Sequence, residues 1–337
     1  MSENRLTCLV TGSTGYVGGR LIPRLLAAGH RVKAMARDPR DLDSVPWRDD
    51  VDVVRADLAD PESLDAACAG VDVLYYLVHS MGTSSDFESE EADSATNTVE
   101  AARRAGVRRV VYLGGLHPSG GHLSKHLESR SSVGDTLLAS GIETVALQAG
   151  VVIGAGSASF EMIRHLVEVS PVLPVPRWSR HLVQPIAVDD VLHYLTEAAT
   201  ASVPTSRTWD IGGPNVLRYA DVLREFGDVA GLPPRRIVPV PGLTPAIVSW
   251  GIALLTPMPA GLVRPLVASL KSDSVMGDRD VDTVIAPPAK GLTTYRNAVA
   301  RALEQPYSDD SGVQPTDPSA AELMPSDPEW ARERTAR

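Results

Sequence analysis

Near the amino terminus, Thr11-Gly12-Ser13-Thr14-Gly15-Tyr16-Val17-Gly18 follows an apolar β-branched run and opens an amphipathic helical pattern. Each glycine at this spacing has a distinct use. Gly12 permits a tight turn, Gly15 lets the backbone approach a pyrophosphate, and Gly18 lets helix and strand pack closely. The helix N-terminus then offers unpaired N–H groups to phosphate oxygens, with Thr14, Tyr16 and Val17 on the same cradle. The chemistry implied is dinucleotide binding. A glycine-rich turn of some other α/β protein is the alternative, and the ordered strand, turn, helix and second strand count against it.

The second strand ends Val32-Lys33-Ala34-Met35-Ala36-Arg37-Asp38. An NAD-selective site places a carboxylate at this strand end, whereas an NADP site places an arginine to meet the 2′-phosphate. Ala36 stands at the expected carboxylate position and Arg37 follows it, so the expectation is NADP, with NAD kept as the alternative because of Asp38. A solvated surface arginine is the competing reading. Asp57 and Leu58, after the third strand, are expected near the adenine, although Asp57 also suits a cap or turn. Leu77 and Val78 end the fourth strand and His79 follows, at the edge where a ligand of such a sheet sits.

These residues need a scaffold of alternating strands and helices. Strands are expected at 6–11, 30–36, 51–55, 71–78, 107–113 and 143–147. Helices are expected at 15–28, 61–69, 87–105 and 125–139, each closed by a glycine: Gly29, Gly70, Gly106 and Gly141. Near-continuous apolar strands separated by helices imply an α/β fold with a doubly wound parallel sheet covered on both faces. Residues 1–150 then form a Rossmann domain. Residues 151–305 form a smaller, interleaved substrate lobe with helices at 157–169, 189–200, 219–230 and 294–303 and a return strand at 208–211. The tail 306–337 holds five prolines and seven acidic against three basic side chains, and is expected to be disordered.

Composition limits the remaining choices. The 337 residues are 43% apolar, enough for a substantial core without staples. Cys8 and Cys68 match no metal or redox spacing and no signal core opens the chain, so a reduced, cytoplasmic protein is expected. A net charge of -10 argues against a nucleic-acid partner. The uncharged stretch 238–263 is broken by prolines, leaving 246–256 as a short buried or interfacial helix and no membrane span. Segment 241–270 is expected to form an apolar wall of the substrate cleft or a peripheral membrane contact. There is no internal repeat, and nothing in the sequence assigns an oligomeric state.

TGSTGYVG, the ARDP after the second strand, ATNTVEAARRAGVRRVVYLGG around Asn97, QPIAVDDV and TWDIGGP together resemble an extended or atypical short-chain dehydrogenase/reductase. YLVHSM, LESRSSVG, GSASFEMIRHLVE and PRWSRHLVQPIAVDDVLHYL are more closely similar to a bacterial NAD(P)H-binding group of that family. The resemblance runs from about residue 5 to residue 304. The chain is more distantly similar to the nucleotide-binding accessory subunit of respiratory complex I and to regulator-like members that sense NADP. The resemblance implies cofactor at the carboxyl ends of the strands and a substrate lobe built from the later segments.

The departures from that family concern catalysis. Its members use a serine, a tyrosine and a lysine four residues later, the lysine and cofactor ribose lowering the tyrosine pKa for proton transfer. No tyrosine in this chain has a lysine four residues on. Aligning LESRSSVGDTLLASG with the family's catalytic helix puts Arg130 at the lysine position and His126 at the tyrosine position, with Gly114 and Gly115 in the serine region. The alignment implies that Arg130 binds the nicotinamide ribose and that His126 serves as acid. His122, His126 and Arg130 also recur every four residues, a spacing that gathers them on one helix face. His79 and His117 lie at strand ends, and each of these histidines alone also suits a capping or packing role. None has zinc-type spacing, so no metal site is expected.

Arg177 and Arg180 flank Trp178 just before QPIAVDDV, a region that borders substrate in extended members; ordinary packing explains the trio equally well. Asp189 and Asp190 open a helical pattern, where acidic residues cap the N-terminus, and are read as structural. Two functions follow. One is an NADPH-dependent reductase of a small apolar carbonyl, enone or quinone-like substrate; the other is an NADP(H)-binding sensor or assembly protein without turnover. A transient-hydride isomerase or dehydratase is a weaker third, because such enzymes keep the tyrosine and lysine.

Overall fold

The structure is a computed structural model that describes residues 5–78, 87–117, 125–176, 180–240, 242–304, 323–324 and 327–332. The first half runs β1 (Thr7–Val10), α1 (Tyr16–Ala27), β2 (Arg31–Ala36), β3 (Asp52–Arg55), α2 (Pro61–Cys68), β4 (Val73–Tyr76), α3 (Phe87–Ala105), β5 (Arg109–Gly115), α4 (Lys125–Leu138) and β6 (Glu143–Ala149). The glycines expected to close helices do so: Gly29, Gly70, Gly106 and Gly141 all take positive φ, between 69° and 88°. That conformation costs an L side chain and reverses the chain toward the next strand.

The second half runs β7 (Val152–Ile153), α5 (Ala158–Val169), β8 (Val172–Val175), β9 (Leu182–Val183), β10 (Ile186–Ala187), α6 (Val188–Glu197), β11 (Arg207–Ile211), β12 (Leu217–Arg218), α7 (Tyr219–Val229), β13 (Arg236–Pro239), α8 (Pro245–Leu255), α9 (Ala260–Ser269), α10 (Tyr295–Glu304) and α11 (Glu329–Arg332). Strand β11 returns to the large sheet, as the sequence predicts for 208–211.

That sheet has the order β11-β6-β5-β4-β1-β2-β3, with every pairing parallel. The chain winds outward from β1 through β2 and β3, then crosses to β4 on the other side. The direction reverses between β1 and β4, and crevices for ligands form at the carboxyl ends beside such a reversal. Val10, Leu21, Ile22 and Leu25 are fully buried between sheet and α1, each contributing roughly 1.5–3 kcal/mol. A separate apolar cluster around Phe160, Phe226, Val299 and Tyr295 holds α5, α7 and α10 together.

The described residues of the tail, 323–324 and 327–332, depart from the sequence expectation. Leu323, Met324, Asp327 and Ala331 are buried, and residues 329–332 form a helical turn. The cause is Arg20 of α1, which is 1% exposed and donates to Asp327 at 3.0 Å from Nη1 and 2.6 Å from Nη2. Asp327 Oδ2 also accepts the Met324 N–H at 2.8 Å. A buried guanidinium needs a buried carboxylate, and this requirement overrides the disorder-prone composition around Asp327. The carboxylates at the start of α6 do not cap it, since its N-cap is Ala187 with no side-chain cap; Asp189 meets Arg24 at 3.1 Å and Asp190 accepts the Thr293 N–H at 2.8 Å.

Candidate functional site

Loop 11–15 is pinned before any ligand arrives. Thr11 Oγ1 donates to the Tyr75 carbonyl at 2.9 Å and accepts the Leu77 N–H at 3.1 Å, while Ser13 Oγ donates to the Met35 carbonyl at 2.6 Å. Gly12 has φ 68°, and a Cβ there would stand 2.9 Å from the Leu77 carbonyl oxygen. At Gly18 a Cβ would stand 2.2 Å from the Gly12 oxygen, and at Gly15 3.1 Å from the same atom. Gly18 is therefore required for packing, and Gly15 keeps the turn low. Gly15 is the N-cap of α1 and no side chain caps that end, leaving the first N–H groups and the positive end of the dipole facing outward.

They face a cleft of about 1180 Å³ along the carboxyl ends of the strands. Gly12, Thr14, Gly15, Tyr16, Val17, Gly18, Arg37, Asp57, Leu58, Leu77, Val78 and Arg130 all line it. Every residue that the sequence assigned to cofactor binding is thus brought to one crevice. Arg37 is exposed at its edge, and among the described residues no side chain pairs with it. Asp38 turns away onto Arg40, whose Nε and Nη2 approach its carboxylate at 3.0 and 2.6 Å. Those hydrogen bonds draw the Asp38 carboxyl down to about 2. Asp57 caps its own turn, accepting the Ala59 N–H at 3.0 Å, and Asn97 Nδ2 donates to the Leu58 carbonyl at 3.0 Å.

At the other end of the cleft, Arg130 of α4 reaches back to β5, its Nη2 donating to the Leu113 carbonyl. Tyr112 of β5 donates its hydroxyl to the Arg130 carbonyl at 2.9 Å. Burial raises the Tyr112 phenol above its ordinary value, and its proton is engaged by the Arg130 carbonyl. Gly114 and Gly115 line the cleft beside them. Below lies a polar contact that the sequence reading missed: Ser129 Oγ donates to Glu91 Oε2, both residues being buried. Glu91 sits in the acidic run FESEEAD, where no local signal separates it from its solvated neighbours.

The predicted histidines part company. His79, His122, Arg177 and Trp178 lie outside the described residues, and His126 falls in the first turn of α4, where the backbone alone is described. His117 sits against Gln148, with Nε2 atoms 3.1 Å apart, and is not among the cleft walls. His181 pairs with Asp273 at 2.9 Å and Arg180 is exposed. Among the described residues no cluster of histidine, cysteine and carboxylate could hold a metal ion.

The far wall is apolar and comes from the second half of the chain: Val151, Val152, Val183, Pro265, Leu266 and Leu270, with Ser159 and Ser269. Segment 241–270 divides accordingly. Its α9 half lines the cleft, while α8 lies outside it with Trp250 and Leu254 each 70% exposed. Among the described residues no helix is long and apolar enough to cross a membrane.

A family model described as NAD(P)H-binding matches residues 12–143. Ceramide reductase of Caulobacter vibrioides is 29% identical over 277 residues, which cover 77% of this chain and 83% of that protein. Among solved structures, the triphenylmethane reductase of Citrobacter sp. complexed with NADP(H) superposes with a TM-score of 0.69 at 20% identity, over 88% of this chain and 100% of that one. The NADPH-dependent quinone oxidoreductase of Escherichia coli gives a TM-score of 0.68 at 18% identity, over 88% of this chain and 99% of that one. The cleft passes the corresponding physical test, because its glycine cradle leaves no room for Cβ atoms and its helix N-terminus is uncapped. With sheet, cleft and family model in agreement, the chain carries an NAD(P)H-binding domain of Rossmann fold, and it is similar in fold to these reductases.

Proposed function

We propose that the protein is an NADPH-dependent reductase acting on a carbonyl carried by a largely apolar, lipid-like substrate. One observation carries the reading: a single cleft joins an uncapped helix N-terminus and Arg37 at one end to the apolar wall of α9 at the other. The likeness to a ceramide reductase over most of both chains supports the substrate class.

In this reading the N–H groups of Tyr16, Val17 and Gly18 hold the pyrophosphate, and Arg37 holds the 2′-phosphate. Asp57 and Leu58 border the adenine, while Leu77 and Val78 carry the cofactor past the end of β4. Bound NADPH supplies a hydride to the carbonyl carbon. Arg130 positions the nicotinamide ribose through hydrogen bonds; its guanidinium stays protonated and relays no proton. We assign the proton for the carbonyl oxygen to His126, with His79 as the second candidate. The two buried, unpaired cysteines fit a reduced, cytoplasmic setting.

Binding of NADP(H) without turnover is the second reading, favoured by the engagement of the Tyr112 hydroxyl with the Arg130 carbonyl, which holds that phenol's proton on the backbone. The test is NADPH oxidation against a panel of long-chain ketones, enones and quinones. Turnover of a long-chain ketone supports the first reading. Tight NADPH binding with no oxidation across the panel supports the second.

A further inference from the structure

We infer that the outer face of α8 docks on a lipid bilayer carrying anionic headgroups, bringing the mouth of the cleft against that surface. The face is apolar and bare. Ile247, Trp250 and Leu254 stand at i, i+3 and i+7, one side of a helix, and are 52%, 70% and 70% exposed, with Leu255 at 50%. Ser249 and Ile252 are buried on the opposite side. No charged residue occurs from 237 through 263, so nothing on the helix resists entry into the headgroup region.

Charge selects the occupant. In a chain of net charge -10, residues 229–272 carry Arg235, Arg236, Arg264 and Lys271 and no aspartate or glutamate. Arg236, Arg264 and Lys271 are exposed. A segment that is basic and otherwise uncharged, carrying an apolar outward helix, complements anionic phospholipid. A second copy meeting the first through the same segment would instead bring like charge to like charge, which is unfavourable across an interface.

The location gives docking a use. Helix α9 packs on α8 and also on α4 and α5, and it supplies Pro265, Leu266, Ser269 and Leu270 to the cleft wall. One side of this hairpin thus meets the bilayer and the other meets the cleft. Docking rests on exposure and charge alone; the passage of a lipid from bilayer to cleft rests on the reductase reading above.

The test is sedimentation of the full chain with vesicles of phosphatidylcholine alone or mixed with phosphatidylglycerol, with NADPH titration run on the same samples. The wild type should partition to the mixed vesicles, less to phosphatidylcholine, and less at high salt. Trp250→Glu combined with Leu254→Glu should weaken partition roughly tenfold or more while NADPH affinity is unchanged. Bromine-labelled lipid should quench tryptophan emission in the wild type, and Trp250→Phe should lose that quenching while still sedimenting. Equal sedimentation of the double variant, or none by the wild type, would overturn the inference. So would light scattering that shows a dimer dispersed by Trp250→Glu with no vesicle binding, since the face would then belong to a second copy. Vesicle binding without NADPH binding would uphold docking and remove the reductase reading.

Discussion

Tyr112 and Arg130 lace β5 to α4 in both directions: the tyrosine hydroxyl donates to the arginine carbonyl, and the guanidinium donates to the carbonyl of Leu113, next to the tyrosine. Arg130 is therefore fixed from two sides before it meets a ligand. Tyr112→Phe should cost about 1 kcal/mol of stability, the usual net worth of one hydrogen bond, and should raise the KM for NADPH without shifting the pH profile. Arg130→Ala should weaken NADPH binding more strongly than Tyr112→Phe does. Calorimetric titration of both variants checks the ranking, and equal affinities would place Arg130 outside the cofactor site.

Cofactor choice should follow Arg37. A charge-assisted contact to the 2′-phosphate is worth about 1.5–3 kcal/mol, so Arg37→Ala should lose on the order of 10- to 100-fold in NADPH affinity and little in NADH affinity. Asp38→Ala should leave the preference in place, because Asp38 is turned onto Arg40. Fluorescence titration with both cofactors decides; a preference that survives in Arg37→Ala would remove the assignment.

The glycines of the cradle should separate in their effects. Gly15→Val brings a side chain toward the Gly12 oxygen at the cleft, and should abolish NADPH binding with the fold retained. Gly18→Val forces atoms into the backbone of the same turn, where a Cβ already stands at 2.2 Å, and should lower the melting temperature as well. Circular dichroism melts beside cofactor titration would show the split.

The Arg20–Asp327 pair predicts a stability effect from the far end of the chain. Asp327→Ala leaves a buried guanidinium without its main carboxylate, a change that costs about 3–5 kcal/mol in comparable pairs. Arg20→Met together with Asp327→Leu should recover most of that loss, since no charge is then left buried. Urea unfolding of the single and double variants measures both; an unchanged midpoint in Asp327→Ala would show that the tail contact contributes nothing.

Much of this was legible from local signals. The helix-closing glycines and β-branched runs mark the strands and helices of the large sheet, and Thr11 to Gly18 with Arg37 mark positions that line one end of the cleft, because each acts through its own backbone conformation or strand position. What escaped depends on partners distant in sequence. Asp327 reads as one acidic residue in a polar tail until Arg20, 307 positions away, is placed beside it. Glu91 and Ser129 are separated by 38 residues and each resembles a solvated neighbour. The short pairs β7–β10 and β8–β13 carry two to four residues each and leave no periodic trace. The apolar segment 241–270 was visible as a unit, but its division into a cleft-lining helix and an outward one is set by packing.

If His126 supplies the proton, turnover should fall as pH rises through an imidazole pKa, ordinarily near ~6.5. His126→Ala should lower kcat by roughly 100-fold or more, with NADPH affinity little changed. An unaltered pH profile in His126→Ala would move the proton source elsewhere.

The central claim is hydride transfer from a cofactor held in this cleft to a carbonyl on an apolar chain. The most direct measurement uses NADPH deuterated at C4 of the nicotinamide, the full-length protein, and a panel of long-chain ketones dispersed in phosphatidylcholine and phosphatidylglycerol vesicles, with products read by mass spectrometry. The account predicts one deuterium on the former carbonyl carbon of a long-chain alcohol, and none with Gly15→Val. Saturating NADPH binding with no deuterated alcohol from any ketone in the panel would contradict it.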